Sequence, residues 1–139
     1  MSPAIAAALA DAVLALHAGV VGFVVLGTLA ILAGGPLGWR WVRSFALRTT
    51  HLALIVVIAL QAWLGRICPL TGWEQALRIR AGQDTYGGSF IQHWLSRLIF
   101  FEAPWWVFVL AYTAFAAMVL ACWWRWPPLR RSAHRARKR

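Results

Sequence analysis

The chain is 139 residues long, 61% hydrophobic and only 13% charged, with a mean hydropathy of +0.64 and ten tryptophans. A soluble domain carries about 25% charged residues, so the composition excludes one and predicts a membrane protein. The net charge of +10 does not point to nucleic acid: seven of the fourteen basic residues lie in the closing "RWPPLRRSAHRARKR", where Lys and Arg beside a span orient it and meet anionic headgroups.

Residues 12–39, 49–65 and 103–124, runs of 28, 17 and 22, carry no full charge. A helix needs about 20 residues to cross ~30 Å of hydrocarbon. The expected fold is therefore an all-α membrane protein with three transmembrane helices, at about 10–33, 47–66 and 104–125, in a single membrane domain over 1–126. One or two short interfacial amphipathic helices join them on the outer face, and 127–139 forms a basic cytoplasmic tail.

No Lys or Arg precedes the first apolar run, which is too long for the core of a signal peptide, so the first span is expected to stay in the mature protein. It interleaves Ala15, Ala18, Gly19 and Gly22, spaced so that another backbone can approach closely in lipid. His17 lies within it, about 10–12 Å below the outer face at ~1.5 Å per residue. The loop that follows carries Arg40, Arg43 and Arg48 with no acid, whereas residues 66–88 set three Arg against Glu74 and Asp84. Basic flanks stay inside, which puts the N-terminus outside, the C-terminus in the cytoplasm and residues 66–88 on the outer face.

The second span carries a polar seam of His51, Gln61, Gly65 and Cys68 on about a third of the helix circumference; interhelical hydrogen bonding is the expected use of such groups. Pro69 breaks that helix. Thr71 followed by Glu74 reads as a capping box, and Gly82 as the stop of a short helix over about 72–81. Within it Glu74 and Arg78 stand four apart in the favourable order. After a loop at Gly82, Gly87 and Gly88, "SFIQHWLSRLIFF" places Ser89, Gln92, His93, Ser96 and Arg97 on one stripe, an amphipathic helix over about 89–101 that is interfacial or re-entrant. Trp105 and Trp106 open the third span and Trp123, Trp124 and Trp126 close it, about 27 Å apart at ~1.5 Å per residue, as interfacial belts. Cys68 and Cys122 sit at opposite ends of their spans, too far apart for a disulfide.

An intramembrane His, then Trp63 and "CPLTGWEQALR", then Tyr86 and "SFIQHW", resembles the bacterial membrane proteins catalogued as domain of unknown function 2784, with one residue more between Trp63 and Cys68 than the W-x-x-x-C of that pattern. The resemblance covers roughly 10–120 and misses the basic tail. It implies a location in the bacterial inner membrane and marks Cys68, Pro69, Glu74, Arg78, Tyr86 and His93 as shared residues; it implies no activity.

The candidate polar cluster is thus His17, Cys68, Glu74, Arg78, Tyr86 and His93, a lid of polar groups at one membrane face. Three uses are weighed. The favoured one is an accessory or structural subunit packing against a larger membrane complex or a second copy, with the bilayer as its other partner and no cofactor. The second is a haem or quinone protein at the outer leaflet. His17 and His51 differ in depth by about 10 Å, which leaves His17 and His93 as the haem pair. The third is an enzyme or transporter for a small or lipidic molecule. Against metal and enzyme readings, the sequence shows no short ligand spacing, nucleophile motif or H-E-x-x-H.

Overall fold

The computed structural model describes residues 1–87, 93, 94, 96, 97 and 104–129. Among them the chain forms four α-helices: α1 (Pro3–Gly34), α2 (Phe45–Trp63), α3 (Pro69–Arg80) and α4 (Trp105–Arg125). Helices α1, α2 and α4, of 32, 19 and 21 residues, are each long and apolar enough to cross a bilayer. No strand forms among the described residues; a lone parallel bridge joins Ser44 and Leu129. The fold class is that expected from composition. The predicted helix at 89–101 lies outside the described residues apart from His93, Trp94, Ser96 and Arg97, as does the tail from 130 onward.

Helix α1 starts at Pro3, ahead of the expected start at about 10; two further helix ends differ from the sequence reading, each for a local reason. Helix α2 stops at Trp63 because Gly65 takes a left-handed φ of +63°. The Gly65 N–H then reaches the carbonyl of Ala62 and that of Arg66 the carbonyl of Gln61, the paired bonds of a Schellman end. Gly65 and Cys68 therefore lie beyond the helix, and the expected seam is cut to His51 and Gln61. Helix α3 starts at Pro69, with Cys68 as N-cap and no side-chain cap. Proline is pre-organised for the first helical position, so Thr71 falls inside the first turn and forms no capping box. Gly82 ends α3 as expected, at φ +71° and with the same bond pair, Gly82 to Ile79 and Gln83 to Arg78.

The chain divides into two compact units, Met1–Val21 with Leu60–Leu110, and Gly22–Ala59 with Ala111–Arg139. In the second unit Val24, Ile55 and Val119, one residue from each spanning helix, form an apolar core with Leu52, Ile58 and Phe115 around it. Two buried polar residues of α2 are tied into it. His51, fully buried, donates from Nε2 to the Val24 carbonyl at 2.8 Å, with Thr28 Oγ1 at 3.2 Å. A carbonyl only accepts, so Nε2 carries the hydrogen. A Cβ at Gly27 would lie 2.7 Å from the His51 ring, so only glycine leaves room for it. Arg48, 2% exposed, donates from Nη2 to the carbonyls of Cys122 at 2.7 Å and Trp126 at 3.2 Å. This places a cation on a last-turn carbonyl of α4 and on that of the residue after it, where the helix dipole favours it. The segment after α4 is held by Leu129 N–H to Arg43 O, 2.7 Å, and by Arg43 Nε to Pro127 O, 3.2 Å.

The aromatic belts at the ends of α4 are partly internal contacts. Trp105 Nε1 donates to the Ala62 carbonyl at 3.1 Å. The Arg48 guanidinium lies over Trp123 and that of Arg125 over Trp126. Trp106 and Trp124 remain 62% and 83% exposed.

Candidate functional site

The polar groups of the first unit gather where α3 meets the N-terminal part of α1. On α1, Ala6, Ala10 and His17 are buried; steps of four and seven residues put them on one face. On α3, Thr71 and Glu74 are fully buried. His17 Nδ1 lies 3.4 Å from Thr71 Oγ1, so a residue expected to cap α3 instead meets the histidine of the first span.

Glu74 is the centre of the cluster. Arg78 Nε donates to its Oε1 at 2.7 Å, one helical turn away, and the Tyr86 hydroxyl donates to its Oε2. Arg78 also donates from Nη1 to Gln83 Oε1 at 3.0 Å and from Nη2 to Asp11 Oδ1 at 3.2 Å, which pins α3 to α1. Gln75 Nε2 donates to the Tyr86 carbonyl at 2.8 Å. The Tyr86 ring stacks on His93, centroids 4.3 Å apart, and His93 meets Trp94 edge to face.

The electrostatics hold Arg78 and Tyr86 each in one protonation state. The hydrogen bond to Glu74 is the main cause that raises the Arg78 pKa above its ordinary value. Burial first, and the bond to Glu74 second, push the Tyr86 phenol well above its usual 10.0. Tyr86 is therefore a neutral donor and Arg78 a fixed cation throughout the physiological range. A general acid or base works best with a pKa near the operating pH, and this pair lies far from it.

Beside the cluster is an open pocket of about 330 Å³, lined by Glu74, Arg78, Tyr86 and His93 together with Leu14, Asp84, Thr85, Trp94 and Arg97. Four of the six candidate residues thus come together. His17 is joined through Thr71 but does not line the pocket, and Cys68 stands at the N-cap of α3 as a free thiol. His17 and His93 are thus not brought together as joint walls of the cavity. No group of three or more metal-ligating side chains occurs among the described residues. Sequence reasoning missed Asp11, Thr71 as a tertiary partner, Gln83 and the pocket wall at Asp84 and Thr85. Asp11 had a signal, as the one acid in the first 73 residues; the others had none.

No curated protein and no solved structure matches the chain. A family model does match, over residues 7–128, beyond both ends of the 10–120 expected from the motif and reaching only the first two residues of the 127–139 tail. That match covers most of the chain and includes every residue of the Glu74 cluster, and the protein belongs to the family described as Protein of Unknown function (DUF2784).

Proposed function

We propose that this is a small polytopic protein of the bacterial inner membrane, N-terminus outside and C-terminus cytoplasmic, that acts as an accessory subunit of a larger membrane complex. Its outward-facing Glu74 cluster is a fixed recognition platform. The observation that carries this reading is the locked state of the cluster. Both oxygens of a fully buried carboxylate are held by Arg78 and Tyr86, and Arg78 ties α3 to α1 through Asp11. Such an arrangement holds a shape, with Arg78 a fixed cation and Tyr86 a neutral donor. Polar residues built into a membrane protein mark function or interhelical contact, and here the contact holds a surface in place.

The test is purification of the tagged protein from its native membrane in a mild detergent, with Trp94→Ala and Arg97→Glu variants alongside. Both positions are exposed beside the cluster, so the variants are expected to fold. The expected result is a membrane protein recovered near stoichiometrically with wild type and lost from both variants at unchanged yield. Recovery of the chain alone, without companion, contradicts the accessory role.

The open pocket supports a second reading, a small-molecule site. A quinone fits it better than haem does, because Tyr86, His93 and Trp94 supply aromatic walls while His17 is absent from the lining. A visible chromophore or an extractable quinone in the purified protein would favour that reading.

A further inference from the structure

The pocket beside Glu74 holds two charges that the brace does not use. Each Glu74 oxygen already accepts a hydrogen bond, and Arg78 has committed Nε, Nη1 and Nη2 to Glu74, Gln83 and Asp11. Arg97 and Asp84 are exposed on the same pocket, and among the described residues neither forms an ion pair or hydrogen bond. The remaining wall is apolar or aromatic: Leu14, Trp94 and the stacked rings of Tyr86 and His93.

One uncommitted cation and one uncommitted anion over an apolar wall, in a chain with three helices able to cross a bilayer, are complementary to an amphiphile whose headgroup carries both signs. We infer that this pocket binds the headgroup of a zwitterionic phospholipid bearing a primary ammonium. The phosphate oxygens accept from Arg97 and from the N–H groups that Arg78 has left; the ammonium donates to Asp84; the glycerol end lies along Leu14 and Trp94. A guanidinium suits phosphate because its planar fork matches two oxygens at once. A carboxylate distinguishes an ammonium that can donate hydrogen bonds from a quaternary one that cannot. The volume of about 330 Å³ is near the lower end of small-molecule pockets, with room for a headgroup and not for acyl chains, which stay in the bilayer. This inference goes beyond the accessory role and needs no protein partner.

The full-length protein, delipidated in a non-ionic detergent, is mixed with equal amounts of a phosphatidylethanolamine, a phosphatidylcholine and a phosphatidylglycerol, and the bound lipid is read by native mass spectrometry. Inorganic phosphate is titrated as a separate arm. Wild type is expected to retain the ethanolamine lipid at least about tenfold over the other two, the weight of one charge-assisted hydrogen bond. Asp84→Asn should erase that preference while phosphatidylglycerol binding survives. Arg97→Gln should weaken all three lipids. Asp84→Glu and Arg97→Lys, which keep the charges, should retain more binding than the neutral variants and guard against loss of fold. Equal retention of the three lipids by wild type overturns the inference, as does a preference that neither neutral variant changes. Competition by millimolar inorganic phosphate that removes the lipid outright overturns it too, since the site would then be one for a free anion.

Discussion

Glu74 carries the cost and the benefit of the cluster. A carboxylate taken fully out of water is tolerated only when its partners are in place, and breaking such a pair typically costs about 3–5 kcal/mol. Arg78→Ala leaves Glu74 buried with Tyr86 alone and is expected to destabilise the protein by that amount. Tyr86→Phe removes one hydrogen bond to a charged group, worth about 1.5–3 kcal/mol. The Tyr86 phenol also predicts a pH dependence. Its folded pKa lies above the ordinary 10.0, so its contribution is fully present below about pH 10 and is lost as pH rises beyond that. Thermal melts of wild type in detergent should show no effect of Tyr86 ionisation below that point and fall above it. The Tyr86→Phe protein should start lower and lack that part of the alkaline loss. Equal alkaline loss in both would mean that the phenol is not held as described. The Glu74 and Arg78 pair was legible because it obeys the one-turn spacing of a helix. Tyr86 was marked only by resemblance: it joins Glu74 across the turn at Gly82, where no periodicity links the two positions.

Among the elements, α3 is where sequence logic and structure part. Thr71 and Glu74 have the spacing of a capping box, but Pro69 sets the helix start about three residues earlier, and both side chains turn to tertiary partners. A cap acts locally, so its removal would be indifferent to α1. The contact with His17 predicts the opposite. In a double-mutant cycle, Thr71→Ala and His17→Ala should couple by about 0.5–3 kcal/mol, the range for residues in direct contact. Strict additivity would reinstate the local cap. The end of α2 was missed for a related reason: Gly65 fits a small-residue position within a span as well as a left-handed stop, and apolar composition runs on past it. The cation on the end of α4 was equally hidden. Arg48 reads as an orienting loop charge, while its hydrogen bonds go to carbonyls 74 and 78 residues further along the chain.

For the whole molecule, composition and charge-free run lengths were enough for the all-α membrane fold with three long helices, because bilayer thickness translates directly into helix length. The candidate site was legible as a gathering of polar residues in one stretch, and not as a brace with an adjoining pocket, since that depends on which residues of α1 meet α3. The two units differ in how they use buried polar groups. The second embeds His51 and Arg48 on backbone carbonyls of α1, of α4 and of the residue after α4. The first ties side chain to side chain and leaves a pocket open beside them. On this account the first unit meets the partner. Site-specific photo-crosslinking in intact cells tests that most directly, with the photoreactive group at position 94 and a control at position 124, where Trp124 is 83% exposed. The account predicts a discrete adduct with one membrane protein from position 94 and none of that product from position 124. The absence of any protein adduct from position 94, whatever lipid is also captured there, or the same protein captured equally from both positions, would contradict it.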